Sequence, residues 1–250
     1  MRPIKTLQSL LARAGVLVFR KRLLPFGIVP AYDVERLFGA PATILDVGAN
    51  MGQTALEYAR AFPGANIYAF EPVPATYEQL RTNVAHLPRV RAIPFGLGAR
   101  EETVAIELGQ ADERNSVLNR AGAGATNTAM VRITTGDRWM AGEGLTSIDL
   151  LKIDTEGFDV QVLRGFEGTL AAGRVRAVMV ECEFDRVTPE PHSNFRDIDQ
   201  LLAPLGFRVV TFYTHCATPK GMAWGNVLFV HAAARSPATG SVQAETAGAC

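Results

Sequence analysis

Cysteine is scarce in this chain of 250 residues, which holds only Cys182, Cys216 and Cys250. An odd number without C-x-x-C spacing excludes a disulfide framework and a zinc knuckle, and a reducing cytoplasm is the compartment expected. Net charge is also missing, because 25 basic residues are matched by 25 acidic ones. The basic excess that advertises a polyanionic partner is absent, so no nucleic acid is expected among the partners. No dinucleotide fingerprint is present either. A Gly-x-Gly-x-x-Gly starting at Gly48 would need glycines where Asn50 and Gln53 stand, which disfavours a nicotinamide cofactor.

What charge asymmetry exists lies at the start. Residues 1–32 carry Arg2, Lys5, Arg13, Arg20, Lys21 and Arg22 and, until Asp33, no acid. Ile4, Leu7, Leu10, Leu11, Leu17 and Val18 recur between them at helical spacing, giving a basic amphipathic segment. The uncharged stretches Thr6–Ala12 and Ala14–Phe19 are far shorter than the ~20 residues of a membrane span. Arg13 divides the apolar part, and Arg20-Lys21-Arg22 stands where a cleavage site would be, so a signal peptide fits poorly. Residues 1–40 are therefore read as an extension that packs on the domain or on a second subunit of a homo-oligomer. The alternative is peripheral contact of residues 1–25 with an anionic membrane surface.

The chemistry-bearing stretch is Ile44-Leu45-Asp46-Val47-Gly48-Ala49-Asn50-Met51-Gly52-Gln53-Thr54. Its apolar start, bounded by Pro41 and Gly48, reads as a buried parallel strand that feeds a tight turn. Gly48 and Gly52 are expected to let the backbone approach a ligand without a Cβ in the way. The helix that follows directs free N–H groups at that ligand. Ala69-Phe70-Glu71-Pro72 ends the next apolar run. Glu71, about 20 residues beyond the glycines, can accept both hydroxyls of a ribose. Strands near 44–48, 66–70 and 90–95, with helices near 52–61 and 74–86, alternate as in a parallel α/β sheet with helices on both faces.

Beyond the third strand the alternation breaks. Thr103–Leu108 reads as a strand, and a β-rich insertion is expected in place of the crossover helix. Residues 109–128, poor in apolar side chains and including Asn115-Ser116, read as a mobile loop. A fourth parallel strand, 148–153, ends at Asp154 and Glu156, pointing both carboxylates past its carboxyl end, where ligands bind in open α/β sheets. Ionised groups at such a tip are costly unless they bind, catalyse or pair, and Lys152 or Arg164 is a candidate partner. In the fifth strand Glu181 and Glu183 share a face opposite Cys182, and Glu183 is expected to join Asp154 and Glu156. His192, in the Pro-rich loop beyond, is a second candidate base after Asp154. The spacing matches no defined metal motif, so no metal is assigned. Lys220–Gly225 reads as a loop between two closing strands, with Trp224 either lining a pocket or covering the sheet edge. Residues 234–250 lack an apolar period and read as a disordered tail.

ILDVGANMGQTAL, YAFEPVP and LLKIDTEGFDVQVLRG together resemble the FkbM family of S-adenosylmethionine-dependent methyltransferases, over about residues 42–231. The resemblance implies a Rossmann-like class I methyltransferase fold over residues 41–233, its seven-stranded sheet mostly parallel with an antiparallel last strand. It implies O-methyl transfer to a hydroxyl of a small molecule or glycan such as a sugar or polyketide. Gly48, Asn50 and Gly52 would then cradle the amino-acid end of S-adenosyl-L-methionine, with Glu71 and Pro72 at the ribose. Asp46 would orient the loop or a water. Asp154, with Glu156 and His192, would serve the acceptor. A nucleic-acid amino methylase would show Asn/Asp-Pro-Pro-aromatic, and a cytosine carbon methylase Pro-Cys, where this chain has Asp154-Thr155-Glu156-Gly157. A non-catalytic cofactor-binding protein, or transfer to a nitrogen or carboxylate, remains the alternative.

Overall fold

The computed structural model describes residues 21–108, 117–118, 120–122, 126–184, 193–219 and 221–234, with Leu11, Arg13, Gly15, Val16 and Val18 ahead of them. Most of the basic segment, most of the 109–128 loop, His192 and residues 235–250 lie outside the described residues.

Helix α1 (Pro30–Phe38) precedes strand β1 (Thr43–Val47), helix α2 (Gln53–Ala61), β2 (Asn66–Phe70), α3 (Pro74–Val84) and β3 (Val90–Ile93). Then come β4 (Gly96–Leu97), β5 (Glu102–Glu107), β6 (Thr128–Thr134) and α4 (Gly136–Glu143). The second half runs β7 (Ile148–Ile153), α5 (Asp159–Arg164), α6 (Glu167–Ala171), β8 (Val175–Glu183), α7 (Phe195–Leu202), β9 (Phe207–Thr218) and β10 (Gly221–His231).

The main sheet has seven strands in the order β3-β2-β1-β7-β8-β10-β9. Strands β1, β2, β3, β7 and β8 are mutually parallel, and β10 runs antiparallel to both its neighbours. The chain therefore proceeds outward from β1 to β3, crosses back, and proceeds the other way from β7. That reversal between β1 and β7 is the switch point at which such sheets leave a crevice. Val47 pairs with Ile153 there, and the Asp154 N–H donates to the Val47 carbonyl at 2.9 Å. Residues 48 and 154 thus leave the sheet side by side.

Alternation along the strands builds an apolar layer on each face. Leu45, Val47, Leu151 and Ile153 enter one cluster with Phe70, Phe158 and Phe166, while Ile44 and Leu150 enter the other with Tyr58, Met179 and Tyr213. Ala31, Val34 and Phe38 of α1 join the second layer. Asp33 of that helix is fully buried and accepts from the Gly27 N–H at 2.8 Å and the Tyr213 hydroxyl at 2.9 Å, with Arg36 at 2.7 Å. These bonds tie the chain before β1 to the far edge of the sheet.

Two expectations are corrected. The β-rich insertion exists as a small sheet, β4-β6-β5, but it is added before the crossover helix rather than in place of it. Helix α4 is capped by Thr135, whose hydroxyl accepts from the Arg138 N–H at 3.2 Å, and it presses Trp139 edge-on against Phe70. Residues 221–225 are strand rather than loop, because β9 and β10 form a long hairpin reaching back to Gly221 and Thr218. Among the described residues, no helix is long and apolar enough to cross a membrane.

Candidate active site

The carboxyl ends of β1, β2 and β7 open into a cleft of about 370 Å³. Gly48, Asn50, Met51, Glu71, Pro72, Asp154 and Glu156 line its polar side, and Leu97, Ile106, Val117 and Phe158 its apolar side. Glu71 is nearly buried and accepts from two backbone N–H groups, Val73 at 2.9 Å and Asn50 at 3.1 Å. Each bond occupies one oxygen, so lone pairs remain for further donors. Burial pushes the Glu71 carboxyl up to about 7, against the pull of those two N–H groups.

Contacts within the protein also require glycine at positions 48 and 52. A Cβ on Gly48 would stand 1.9 Å from the Asp154 carbonyl oxygen, and one on Gly52 would stand 2.8 Å from Leu80 Cδ1. Both have positive φ, +81° and +95°. Gly48 therefore lets the tips of β1 and β7 touch, and Gly52 lets α2 start against α3. Gly52 does not line the cleft. Two other residues hold the left-handed conformation without being glycine, Asn50 at φ +48° and Glu156 at +53°. Such strain costs ~1–3 kcal/mol per residue and persists only where the surroundings enforce it.

Asp46 is set back from the cleft. It is fully buried, and neither oxygen has a hydrogen-bond partner among the described residues. Its neighbour in the β1–β7 register is Lys152, whose Nζ lies 3.7 Å away and donates to Asp154 Oδ2 at 3.0 Å. Burial raises Asp46, with Lys152 opposing. Burial alone would lower Lys152, but the two carboxylates beside it win and hold it above its ordinary value. Lys152, rather than Arg164, is thus the cation found beside Asp154. Asp159 ties down the turn after β7, accepting from the Thr155 N–H and hydroxyl, each at 2.9 Å.

A second cavity, about 450 Å³, lies on the other side of this ridge. Asn50, Asp154 and Glu156 line it as well as the first cleft, and so form the wall common to both. Beyond them it is bounded by Glu57, Tyr58, Lys152, Met179 and Glu181, and by Tyr213, His215, Trp224 and Asn226 of the terminal hairpin. Asp154, Glu156 and Glu181 each place one oxygen within 4.8 Å of the others. Glu181 takes the place expected of Glu183, whose N–H is drawn aside to the Ser193 carbonyl at 3.0 Å. His215 and Asn226 escaped the sequence reading.

Two cavities thus meet at a carboxylate-bearing ridge over the switch point of an open α/β sheet. Residues 46–209 match the Methyltransferase FkbM domain family, and the chain belongs to that family, whose methyl donor is S-adenosylmethionine. It is 31% identical over 209 residues to methyltransferase sdnD of Sordaria araneosa, covering 71% of this chain and 78% of that one. It is 29% identical to Methyltransferase 1 of Beauveria bassiana, covering 54% of this chain and 62% of the relative. It is 26% identical to the 2-O-methyltransferase NoeI of Sinorhizobium fredii, covering 52% of this chain and 60% of that relative.

The residues present fit the cofactor. The first cleft pairs a buried carboxylate that has spare lone pairs with the apolar side chains of Leu97, Ile106, Val117 and Phe158. Gly48, Asn50, Glu71 and Pro72 line it, whereas Asp46 and Gly52 do not.

Proposed function

We propose that this chain transfers a methyl group to a hydroxyl oxygen of a small molecule or glycan, with the donor in the first cleft and the acceptor in the second. The observation that carries this reading is the shared wall, since Asn50, Asp154 and Glu156 face both compartments. S-adenosylmethionine, when bound, supplies an electrophilic methyl group on a sulfonium. The remaining work is alignment, exclusion of water and removal of a proton.

Glu71 accepts the ribose hydroxyls, Asn50 and Gly48 shape the loop around the amino-acid end, and Pro72 with Val73 and Leu97 flanks the base. Asp154 accepts the proton that the acceptor hydroxyl loses as its oxygen bonds to carbon. Lys152, donating to Oδ2 at 3.0 Å, fixes that carboxylate and leaves Oδ1 for the acceptor. Glu156 holds a second acceptor group. The name of the 2-O-methyltransferase NoeI supports an oxygen acceptor, and that of the hexuronic acid methyltransferase AglP of Haloferax volcanii, 28% identical over 155 residues, supports a sugar-acid acceptor.

The test joins calorimetry with a transfer assay. S-adenosylhomocysteine should bind wild type and Asp154→Asn alike. Labelled methyl transfer to a panel of hydroxylated acceptors should fall about 10²–10⁴-fold in Asp154→Asn, the range of one general base. Transfer undiminished in the variant, or label found only on amines or carboxylates, refutes the assignment.

A further inference from the structure

We propose that the segment ahead of β1 docks the protein on an anionic lipid surface, with Leu23, Phe26, Ile28 and Val29 entering the headgroup boundary. This goes beyond the methyl-transfer reading and does not depend on it.

The exposed apolar side chains are gathered rather than scattered. Leu23, Phe26, Ile28 and Val29 are 63%, 43%, 59% and 39% exposed, and Val16 lies open ahead of them. Beyond Val29, the large apolar side chains left as open among the described residues are Met51, Met130 and Phe212. Single exposed apolar residues need no explanation, whereas a gathered set marks a surface that meets a partner or a membrane.

The backbone under these side chains is held in place. The Gly27 N–H donates to Asp33 Oδ2 at 2.8 Å, and Arg36 Nη1 donates to the Leu24 carbonyl at 2.6 Å. The Arg36 guanidinium also lies 3.5 Å from the centre of the Phe26 ring. Gly27, at φ +89°, runs so close to β9 that a Cβ there would stand 2.7 Å from the Phe212 carbonyl oxygen. The loop is thus pinned to α1 and β9 while its apolar side chains stay in water. Little ordering entropy remains to be lost when they are buried.

Charge selects the occupant. Residues 1–32 hold Arg2, Lys5, Arg13, Arg20, Lys21 and Arg22 and no acid. The next two acids are accounted for, Asp33 by burial and by Arg36, and Glu35 by Lys21 at 3.1 Å. A second copy docked through the same face about a two-fold axis would set two basic segments against each other. Anionic headgroups attract them, at about fivefold in affinity for each Lys or Arg near the surface. Apolar side chains beside basic ones are the combination by which segments lie in a membrane interface. Val29 is followed by Pro30, which lines the second cavity, so docking sets that cavity beside the bilayer.

The experiment is cosedimentation of the full chain with two kinds of vesicle, phosphatidylcholine alone and phosphatidylcholine with about a third phosphatidylglycerol. The protein should sediment with the anionic vesicles, and added salt should weaken that binding. Leu23→Ser combined with Ile28→Ser should weaken it at least about tenfold, through lost apolar burial. Arg20→Gln and Arg22→Gln should each weaken it about fivefold. Met130→Ser, which removes an equally open side chain elsewhere, should leave it unchanged. Unchanged melting temperatures show that the variants fold. No sedimentation with either vesicle, equal sedimentation with both, or full binding by the double serine variant overturns the proposal. A concentration-dependent dimer that the double serine variant disperses, without vesicle binding, overturns it in favour of a second copy. S-adenosylhomocysteine binding is measured separately, so failure here and failure of the methyl-transfer reading are distinguishable.

Discussion

Cofactor affinity should depend on pH through Glu71. Its carboxyl is held up at about 7 by burial, from an ordinary 4.5. A protonated carboxyl loses acceptor capacity toward the ribose hydroxyls, so the ionised form is the binding form. With an apparent value of about 7, some 90% of sites are ionised at pH 8 and 10% at pH 6. The Kd for S-adenosylhomocysteine should therefore rise about tenfold from pH 8 to pH 6, or ~1.4 kcal/mol. Calorimetry at half-unit steps reads this directly. Glu71→Gln should bind more weakly at pH 8 and lose the slope. The free protein should show the opposite trend in stability. Folded Glu71 keeps its proton to higher pH than unfolded Glu71, so its contribution is greatest below about 4.5 and is lost as pH rises through about 7. A flat Kd between pH 6 and 8, or a slope that survives in Glu71→Gln, refutes the assignment of the ribose to this carboxylate.

Other expectations follow from contacts already described. Gly48→Ala should cost about 3–5 kcal/mol in urea unfolding, because its Cβ meets the Asp154 carbonyl at 1.9 Å and φ is +81°. A loss under 1 kcal/mol would show that the strand tips separate easily. Lys152→Met should destabilise by about 3–5 kcal/mol near neutral pH by stranding Asp46 and Asp154. The loss should shrink in acid as Asp46, raised by burial, takes up a proton; a pH-independent loss would contradict the ion-pair account. Tyr213→Phe should cost about 1.5–3 kcal/mol by removing the hydroxyl that donates to buried Asp33 at 2.9 Å. An unchanged melting temperature would count against α1 as part of the cooperative unit.

The parallel half of the sheet was legible because its signals are local. Ile44–Val47 and Ile148–Ile153 are short apolar runs that end in polar or glycine breaks, and Glu71 closes another. The strand ends at Gly48, Glu71 and Asp154 follow from that pattern. Helix α4 was hidden because Gly136 and Gly142 dilute its sequence, although Thr135 and Gly144 mark both ends. Parity along β8 put Glu181 and Glu183 on one face but could not show which reaches the ridge. That depends on Glu183 turning to pair with the 193–194 segment. The stack of His215 on Trp224 was out of reach for a similar reason, since register shifts between Met222, Trp224 and Gly225 decide which residues face each other. Lys152 opposite Asp46 is a register fact of the same kind. Local composition names strands, whereas a site shared by distant strands is set by how they align.

Among the described residues, the terminal hairpin supplies Tyr213, His215, Trp224 and Asn226 to the second cavity and none to the first. Its strand pairing to the rest of the sheet runs, among the described residues, along the β8–β10 seam. Mutation can therefore rewrite what enters the second cavity while the machinery around Gly48 and Glu71 stays untouched. Grafting Phe207–His231 from one family member to another should transplant acceptor preference while leaving the donor unchanged.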